Sequence, residues 1–373
     1  MPLTDEFVAV NEEPNEYIQD VIIYQCDACG LVQNPCDFNH ETYYEKYEYS
    51  AGHSRFTQNF MHAYADVVCG LFQSVNSRPP SAVLEIGSGD GEQLAAFQAV
   101  GVERVLGVEP SEELVRRSKR RGVHAQKGFF SSELLSEIGD QKFDVCVSSY
   151  TLDHIRDPSD YLNAAHKLLT PQGVLAFEVH DLAQITKRGE WCLFEHEHTV
   201  YLDANSARSI VSSHGFNVHT INPLPNRLVR ANSLILIAYK SSADISPPKA
   251  IQADYGSLQD RINKVIQKID KWISCLPPED TLVGYGAGGR GIMTLAALIQ
   301  SNRFATIFDS TYTSGRFKTP KTHIPVSGPD DLALHKHAWC LVFSFGYITE
   351  ITDALVSAGY QRERIVSLES FFQ

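Results

Sequence analysis

Basic residues are in deficit in this chain. Lys and Arg number 32 against 45 Asp and Glu, and the formal net charge at pH 7 is −13. A surface that neutralises phosphates needs clustered cations, so the balance excludes a nucleic-acid partner. The one basic run, Arg116-Arg117-Ser118-Lys119-Arg120-Arg121, reads as the solvated face of a helix. Long apolar runs are missing as well: none approaches the ~18 residues that a bilayer-spanning helix requires. Residues 1–15 are polar and acidic, with neither the basic nor the apolar region of a secretory leader. The eight cysteines are scattered apart from one cluster, which does not make a disulfide framework. A reduced, cytoplasmic protein without a membrane or nucleic-acid partner is expected, acting on a small molecule as a monomer or homodimer. No internal repeat of fixed period is present.

What is there suffices for two cores: 373 residues, 43% of them hydrophobic. A lead-in, 1–70, carries the Cys cluster, a Tyr-rich segment and a helical pattern from about 56 to 73. Within 71–245, strand-like runs (82–86, 105–108, 145–148, 174–179) alternate with helix-like ones (92–100, 112–121, 158–169). That alternation predicts right-handed βαβ units and a parallel sheet. Runs at 217–221 and 233–239 predict an antiparallel pair at its edge. Residues 241–249, with two prolines, read as a linker. The remaining part, 246–373, opens on an amphipathic helix at 255–276, with Ile262, Val265, Ile266, Ile269 and Ile273 on one face. A second α/β domain then follows, with strands at 281–285, 305–308 and 340–345 and a helix at 292–300. The expected fold class is α/β: one Rossmann-like domain followed by another.

The densest chemistry lies in Phe194-Glu195-His196-Glu197-His198-Thr199-Val200-Tyr201, two carboxylates and two imidazoles in five residues. Upstream stands Glu85-Ile86-Gly87-Ser88-Gly89-Asp90-Gly91, after a strand and before a helix. Its glycines allow backbone to approach a ligand, and a helix N-terminus favours negative charge. The spacing is not the Gly-x-Gly-x-x-Gly of dinucleotide enzymes; it resembles the first motif of class I S-adenosylmethionine methyltransferases. Glu109 ends the next strand 18 residues after Gly91, followed by Pro110, and a carboxylate there can accept both ribose hydroxyls. Phe129 and Phe130 are placed to flank an adenine. The stretch from Tyr150 to Pro158 resembles the loop under the methionine end.

The acid/base run follows the strand that ends at His180, so it falls at the carboxyl ends of the parallel strands, where open α/β sheets bind ligands. Methylating carbon requires removing its proton, and histidine titrates in the right range to do so. A second group must hold the enolate oxygen. Two other uses of the run stand beside this one: a structural hydrogen-bond network, and a metal held by His196, His198 and Glu197, since alternate residues of an extended chain share a face.

Taken together the motifs resemble the sugar C-methyltransferases, enzymes that use S-adenosylmethionine to methylate C3 of nucleotide-linked 4-keto-6-deoxy sugars. Four stretches carry the resemblance. They are Cys26-Asp27-Ala28-Cys29-Gly30-Leu31-Val32-Gln33; Tyr47-Glu48-Tyr49-Ser50 with Ser54 and His62; Glu178-Val179-His180 with His196-Glu197-His198 and Tyr201-Leu202; and Gly284-Tyr285-Gly286-Ala287 with Gly291, Gly315-Arg316-Phe317, Thr319-Pro320 and His323-Ile324-Pro325. The resemblance implies His198 as general base, Glu197 orienting it, and His180 with Tyr47 or Tyr49 holding the sugar or relaying protons. It implies that Tyr201 lies near the sugar, and that the last domain supports the nucleotide through Gly286, Arg290 and Asp309.

Three departures qualify it. The family's first Cys-x-x-Cys pair is missing, which leaves either a compact zinc site from Cys26, Cys29, Cys36 and His40 or no metal at all. Glu195 replaces a tyrosine. The family's His-Gly-Gly-Ser-Leu-Arg run is here Arg230-Ala231-Asn232-Ser233-Leu234-Ile235, where Arg230 and Asn232 would border the substrate. Alternatives are an O- or N-methyltransferase with a different acceptor, an NAD-dependent epimerase or reductase, which lacks a well-placed Tyr-x-x-x-Lys pair, and a binding protein without catalysis.

Overall fold

The structure is a computed structural model that describes residues 1–35, 38–47, 54–131, 133–230, 232–241, 253–312 and 314–372. Cys36, Tyr49, Ala231 and all of the expected linker except Ser241 lie outside the described residues. The chain divides into two compact units. The larger comprises Tyr24–Ala183 and His198–Ala253, the other Met1–Ile23, Gln184–Glu197 and Asp254–Gln373. The expected lead-in is thus divided. Its first residues belong with the C-terminal part because Val8–Ala9 pairs antiparallel with Phe317–Lys318.

The larger unit is built on seven strands: β1 (Ala82–Ile86), β2 (Arg104–Glu109), β3 (Ala125–Lys127), β4 (Phe143–Ser149), β5 (Leu169–His180), β6 (Phe216–Ile221) and β7 (Ser233–Lys240). Their order is β6-β7-β5-β4-β1-β2-β3. The first five run parallel. β7 lies antiparallel between β5 and β6, the edge pair expected from the sequence. This is the class I methyltransferase arrangement, and the strand order reverses beside β1, where such sheets place their ligand.

Helices cover both faces: α1 (Arg55–Asn76), α2 (Glu92–Ala99), α3 (Glu112–Arg120), α4 (Pro158–Leu168) and α5 (Ala204–Ser212). α1 begins where the Ser54 hydroxyl accepts the Phe56 N–H and ends on a left-handed Ser77. Its buried Phe60, Tyr64, Val68 and Phe72 recur every fourth residue and pack on Val83, Val145 and Ile237. Each such side chain contributes about 2 kcal/mol of burial. The opposite core joins Leu84, Phe143, Tyr161, Phe177 and Phe216.

The second unit repeats the logic on a smaller scale. β8 (Leu282–Tyr285), β9 (Phe304–Phe308), β10 (Val326–Ser327), β11 (Trp339–Val342) and β12 (Ile365–Ser367) form a parallel sheet of order β10-β9-β8-β11-β12. α6 (Leu258–Cys275), α7 (Gly289–Ala297) and α8 (Ile348–Ser357) belong to this unit. The buried stripe of α6 is Ile262, Val265, Ile269 and Ile273; Ile266 is only half-buried. Among the described residues no helix is long and apolar enough to cross a membrane.

Candidate active site

The turn after β1 is shaped by its neighbours. Gly87 has φ 69°, and a Cβ there would stand 2.3 Å from the Thr151 Oγ1, so only glycine fits the close approach of the two loops. Gly91 caps α2 in the left-handed region. Ser88 and Asp90 are buried in the same turn.

Glu109, the last residue of β2, is aimed at this turn. One carboxylate oxygen accepts the Gly89 N–H at 2.9 Å and the other the Ser111 N–H at 2.9 Å. Each oxygen keeps a lone pair with which it can accept a hydroxyl. Burial raises its pKa to about 7 against the lowering pull of those two amides. Glu85 is buried too, and burial, with Glu109 and Asp90 nearby, pushes it well above the usual carboxylate range. Pro110 follows, half-buried. The two phenylalanines part company: Phe129 is 36% exposed, whereas Phe130 sits in the core against Tyr161. This corrects the expectation that both flank an adenine, since only Phe129 offers a free ring face.

At the carboxyl end of β5 stands the second cluster of the larger unit. His180 Nδ1 lies 2.9 Å from Asp153 Oδ2. His154 Nε2 stands 3.9 Å from the other oxygen, Oδ1. The His198 ring is 4.8 Å from the His180 ring and 4.6 Å from that of His154. Burial works to raise the Asp153 pKa, but the adjacent His154, the hydrogen bond from His180 and the electrostatic pull of the nearby His180 and His198 rings outweigh it and hold the carboxyl well below its ordinary range. An ionised carboxylate only accepts, so His180 donates through Nδ1–H and keeps Nε2 as its basic nitrogen.

The turn that carries Asp153, Leu152–His154, is clamped from the other side. The Thr199 N–H and hydroxyl both donate to the Asp153 carbonyl, at 2.7 and 3.2 Å. Sequence reasoning quoted this loop without singling out Asp153, whose burial and partners only the fold reveals.

Tyrosines border the cluster. The Tyr150 ring lies 4.4 Å from that of His180, and the Tyr201 ring 6.0 Å from that of His198. Tyr201 is fully buried in a short strand paired with Val32. Tyr44 Oη lies 2.6 Å from His154 Nδ1. Tyr47 belongs to the same aromatic group, 5.8 Å from Tyr44. Tyr49 lies outside the described residues. Arg230 stands over the rings of Phe60 and Tyr150 at 4.5 and 5.1 Å and pairs with the buried Glu178 at 3.5 Å. Ser233 donates to the other Glu178 oxygen at 2.6 Å. Asn232, at φ 60°, gives its carbonyl to the Asp181 N–H. Arg230 and Asn232 therefore have structural partners in the strand end they were expected to present to substrate.

Among the described residues the one convergent group of possible metal ligands is Asp153, His180 and His198, with ligand-type atoms within 4.8 Å of one another. Among the described residues the expected sets do not assemble. Cys26 and Cys29 share a tight turn in which the Gly30 N–H reaches the Cys26 carbonyl at 2.8 Å. His40 instead stacks on Phe38 at 4.0 Å. Burial, then Arg156 and the neighbouring His154, lower its pKa to about 4. Cys36 is outside the described residues. His196 also fails to join His198, because a turn at His196 and Glu197 breaks the expected alternation.

The rest of the Glu195–Glu197 stretch belongs to the second unit. His196 donates through Nε2 to the Met1 carbonyl at 2.9 Å and meets the Tyr17 ring edge-on. The Thr4 hydroxyl donates to Glu197 at 2.6 Å. Glu195 and Glu197 share a proton held mainly by Glu195. Burial and the Glu197 charge push Glu195 far up. Glu197 rises to about 7, chiefly by burial, against the lowering hydrogen bond from Thr4. Glu195 lies over the start of α7, where a Cβ at Gly289 would fall 2.3 Å from its Oε1. After Gly286, the Ala287 N–H donates to Asp309 at 2.8 Å. Arg290 lies over the Phe345 ring at 4.1 Å. The donors and the cation of this glycine turn are thus bordered by two acidic side chains of the same unit.

Two family descriptions match the chain. Residues 56–221 match "Methyltransferase domain" and residues 250–366 match "C-methyltransferase C-terminal domain". The C-methyltransferase NovU of Streptomyces niveus is 26% identical over 293 residues, which cover 73% of this chain and 68% of NovU. The ubiquinone biosynthesis O-methyltransferase of Ruegeria pomeroyi is 32% identical over 96 residues, 25% of this chain and 38% of that protein. Among solved structures, the plantazolicin methyltransferase BamL in complex with a triazolic desmethylPZN analog and SAH aligns with a TM-score of 0.41 at 14% identity, over 50% of this chain and 87% of that one.

Proposed function

We propose that this S-adenosylmethionine-dependent methyltransferase acts on carbon, and that its acceptor is a nucleotide-linked keto sugar, methylated at a carbon beside the ketone. The observation that carries the proposal is the pairing of His180 with Asp153, next to His198, at the carboxyl end of β5. A neutral amine attacks through its free lone pair and scarcely needs a base. Methylating carbon needs a base whose conjugate acid is stabilised.

The turn after β1 fits the cofactor. Gly87 to Gly91 would let backbone pass close to the methionine and ribose portions, and the anchored Glu109 carboxylate would accept the ribose hydroxyls. Phe129 would lie against the adenine. When bound, S-adenosylmethionine supplies a methyl group on a positively charged sulfur.

The residues of the chain move the proton. An imidazole nitrogen of His198 takes it from the carbon, whose electron pair delocalises onto the ketone oxygen. His180, fixed by Asp153, faces the developing charge or receives the proton next. Asp153 stabilises the imidazolium that results. Tyr47 and Tyr49 remain the candidate hydroxyl contacts to the sugar.

Calorimetry with S-adenosylhomocysteine, followed by thymidine, uridine and guanosine diphosphates on the saturated protein, tests the acceptor class. A nucleoside diphosphate that binds only the saturated form supports it. S-adenosylhomocysteine binding without any nucleotide signal moves the acceptor away from nucleotide sugars.

A further inference from the structure

We infer that Asp153 is the positioning carboxylate of a three-histidine cluster, fixing the tautomer of His180 and holding the imidazolium formed when the cluster takes a proton. The inference rests on proton abstraction as proposed above, and adds a residue and a network to it.

Four features of the larger unit support this. Asp153 is 2% exposed, yet it is not buried among carbon alone: its two oxygens face two different imidazoles, at 2.9 and 3.9 Å. Its Oδ1 has no hydrogen-bond partner and is turned toward His154 Nε2, 3.9 Å away, just beyond bonding distance. The carboxylate is held from behind, through the Thr199 clamp on its carbonyl and the His180 backbone N–H at 3.4 Å from Oδ2. Finally, the network continues outward from His154 to the half-buried Tyr44 through a 2.6 Å contact, which supplies a route for a proton to leave. A buried carboxylate that compensates an imidazolium, and dictates which ring nitrogen is basic, acts through its neighbour without touching the reacting atoms.

The groups that face the cluster from neighbouring elements are Tyr150 beside His180, Tyr201 beside His198, and Tyr44 on His154. The Arg230–Glu178 pair lies behind Tyr150, and His154 and Arg156 act electrostatically on the neighbouring His40. Within this set Asp153 alone has one oxygen on His180 and the other turned to His154.

The test uses the full-length protein saturated with S-adenosylhomocysteine. Histidine ring nitrogens are read by proton–nitrogen correlation NMR across pH, in wild type and Asp153→Asn. In wild type His180 is expected as the Nδ1–H tautomer. In Asp153→Asn the Nδ1–H form of His180 should lose its preference and the Nε2–H form should appear, because the carboxylate that accepts the Nδ1–H is gone, while S-adenosylhomocysteine still binds. The wild-type tautomer needs no variant, so the inference stays falsifiable if Asp153→Asn does not fold. An Nε2–H His180 in wild type would overturn it, as would an unchanged tautomer in the variant. Stoichiometric zinc or another divalent metal in the purified protein, with loss of the Nδ1–H signal, would overturn it in favour of a metal centre. If the tautomers come out as expected but no carbon methylation is found, the proposed function fails and Asp153 keeps its structural part. The reverse result sinks this inference alone.

Discussion

Glu109 accepts the Gly89 N–H at 2.9 Å and so ties the end of β2 to the glycine turn after β1. The bond fixes the carboxylate where a ribose would lie and leaves its charge state open to pH, because burial has raised its pKa to about 7. A ligand whose hydroxyls donate to the carboxylate selects the ionised form. S-adenosylhomocysteine affinity should therefore rise with pH up to about 7 and level off above it, falling about tenfold per unit below. Glu109→Gln should abolish that pH dependence, and Glu109→Ala should weaken binding by about ten- to a hundredfold. Calorimetry at several pH values decides; a pH-independent wild-type affinity removes Glu109 from the ribose site.

His198→Ala should lower methyl transfer by about a hundredfold or more, the usual worth of a general base. S-adenosylhomocysteine affinity should be unchanged, since the glycine turn and Glu109 are untouched. A variant that loses cofactor affinity, or keeps full turnover, contradicts the assignment.

Protonation stabilises the Glu195–Glu197 pair, and the sign can be worked out. Both folded-state pKa values are raised, Glu197 to about 7. Between the ordinary carboxylate range and about 7 the folded state therefore holds more protons than the unfolded chain, and Glu109 adds in the same direction. Stability present at about pH 5 is lost as pH rises through about 7. The melting temperature of the cofactor-free protein should fall across that window, and Glu195→Gln should flatten the fall. Because the lowered pKa values of His40, His166 and His196 push the other way over part of the window, the comparison decides: an identical pH dependence of wild type and Glu195→Gln would show that the pair is not sharing a proton.

Arg230→Ala should cost about 3 kcal/mol or more, because it leaves Glu178 buried without its cation. Arg230→Lys should not restore the loss, since an ammonium cannot lie flat against Phe60 and Tyr150 as the guanidinium does. Chemical denaturation measures both. If Arg230→Ala is as stable as wild type but binds acceptor poorly, Arg230 belongs to the substrate site after all.

The fold was legible wherever periodicity ran long enough. The strands at 82–86 and 233–239 and the helix at 158–169 were found within a few residues. β3 and β12, of three residues each, carry too few side chains for a pattern to emerge. The longer extent of β5, Leu169–His180, was hidden because its first turn of chain contains Thr170, Pro171 and Gln172, which read as a loop. In the site, the acid/base run was visible because its residues are contiguous. Asp153 was not, since its meaning comes from tertiary contacts with His180 and His198, and a lone Asp in a loop has no sequence period to mark it. His196 was misplaced for a local reason: alternation assumes an extended chain, and the chain turns there.

The central claim is that carbon is the methylated atom. Supplying the protein with methyl-13C-labelled S-adenosylmethionine and a nucleotide-linked 4-keto-6-deoxy sugar in D2O tests it directly by NMR. A labelled methyl bonded to the carbon beside the ketone, with loss of that carbon's proton, is the predicted result. A labelled methyl on oxygen or nitrogen would contradict it.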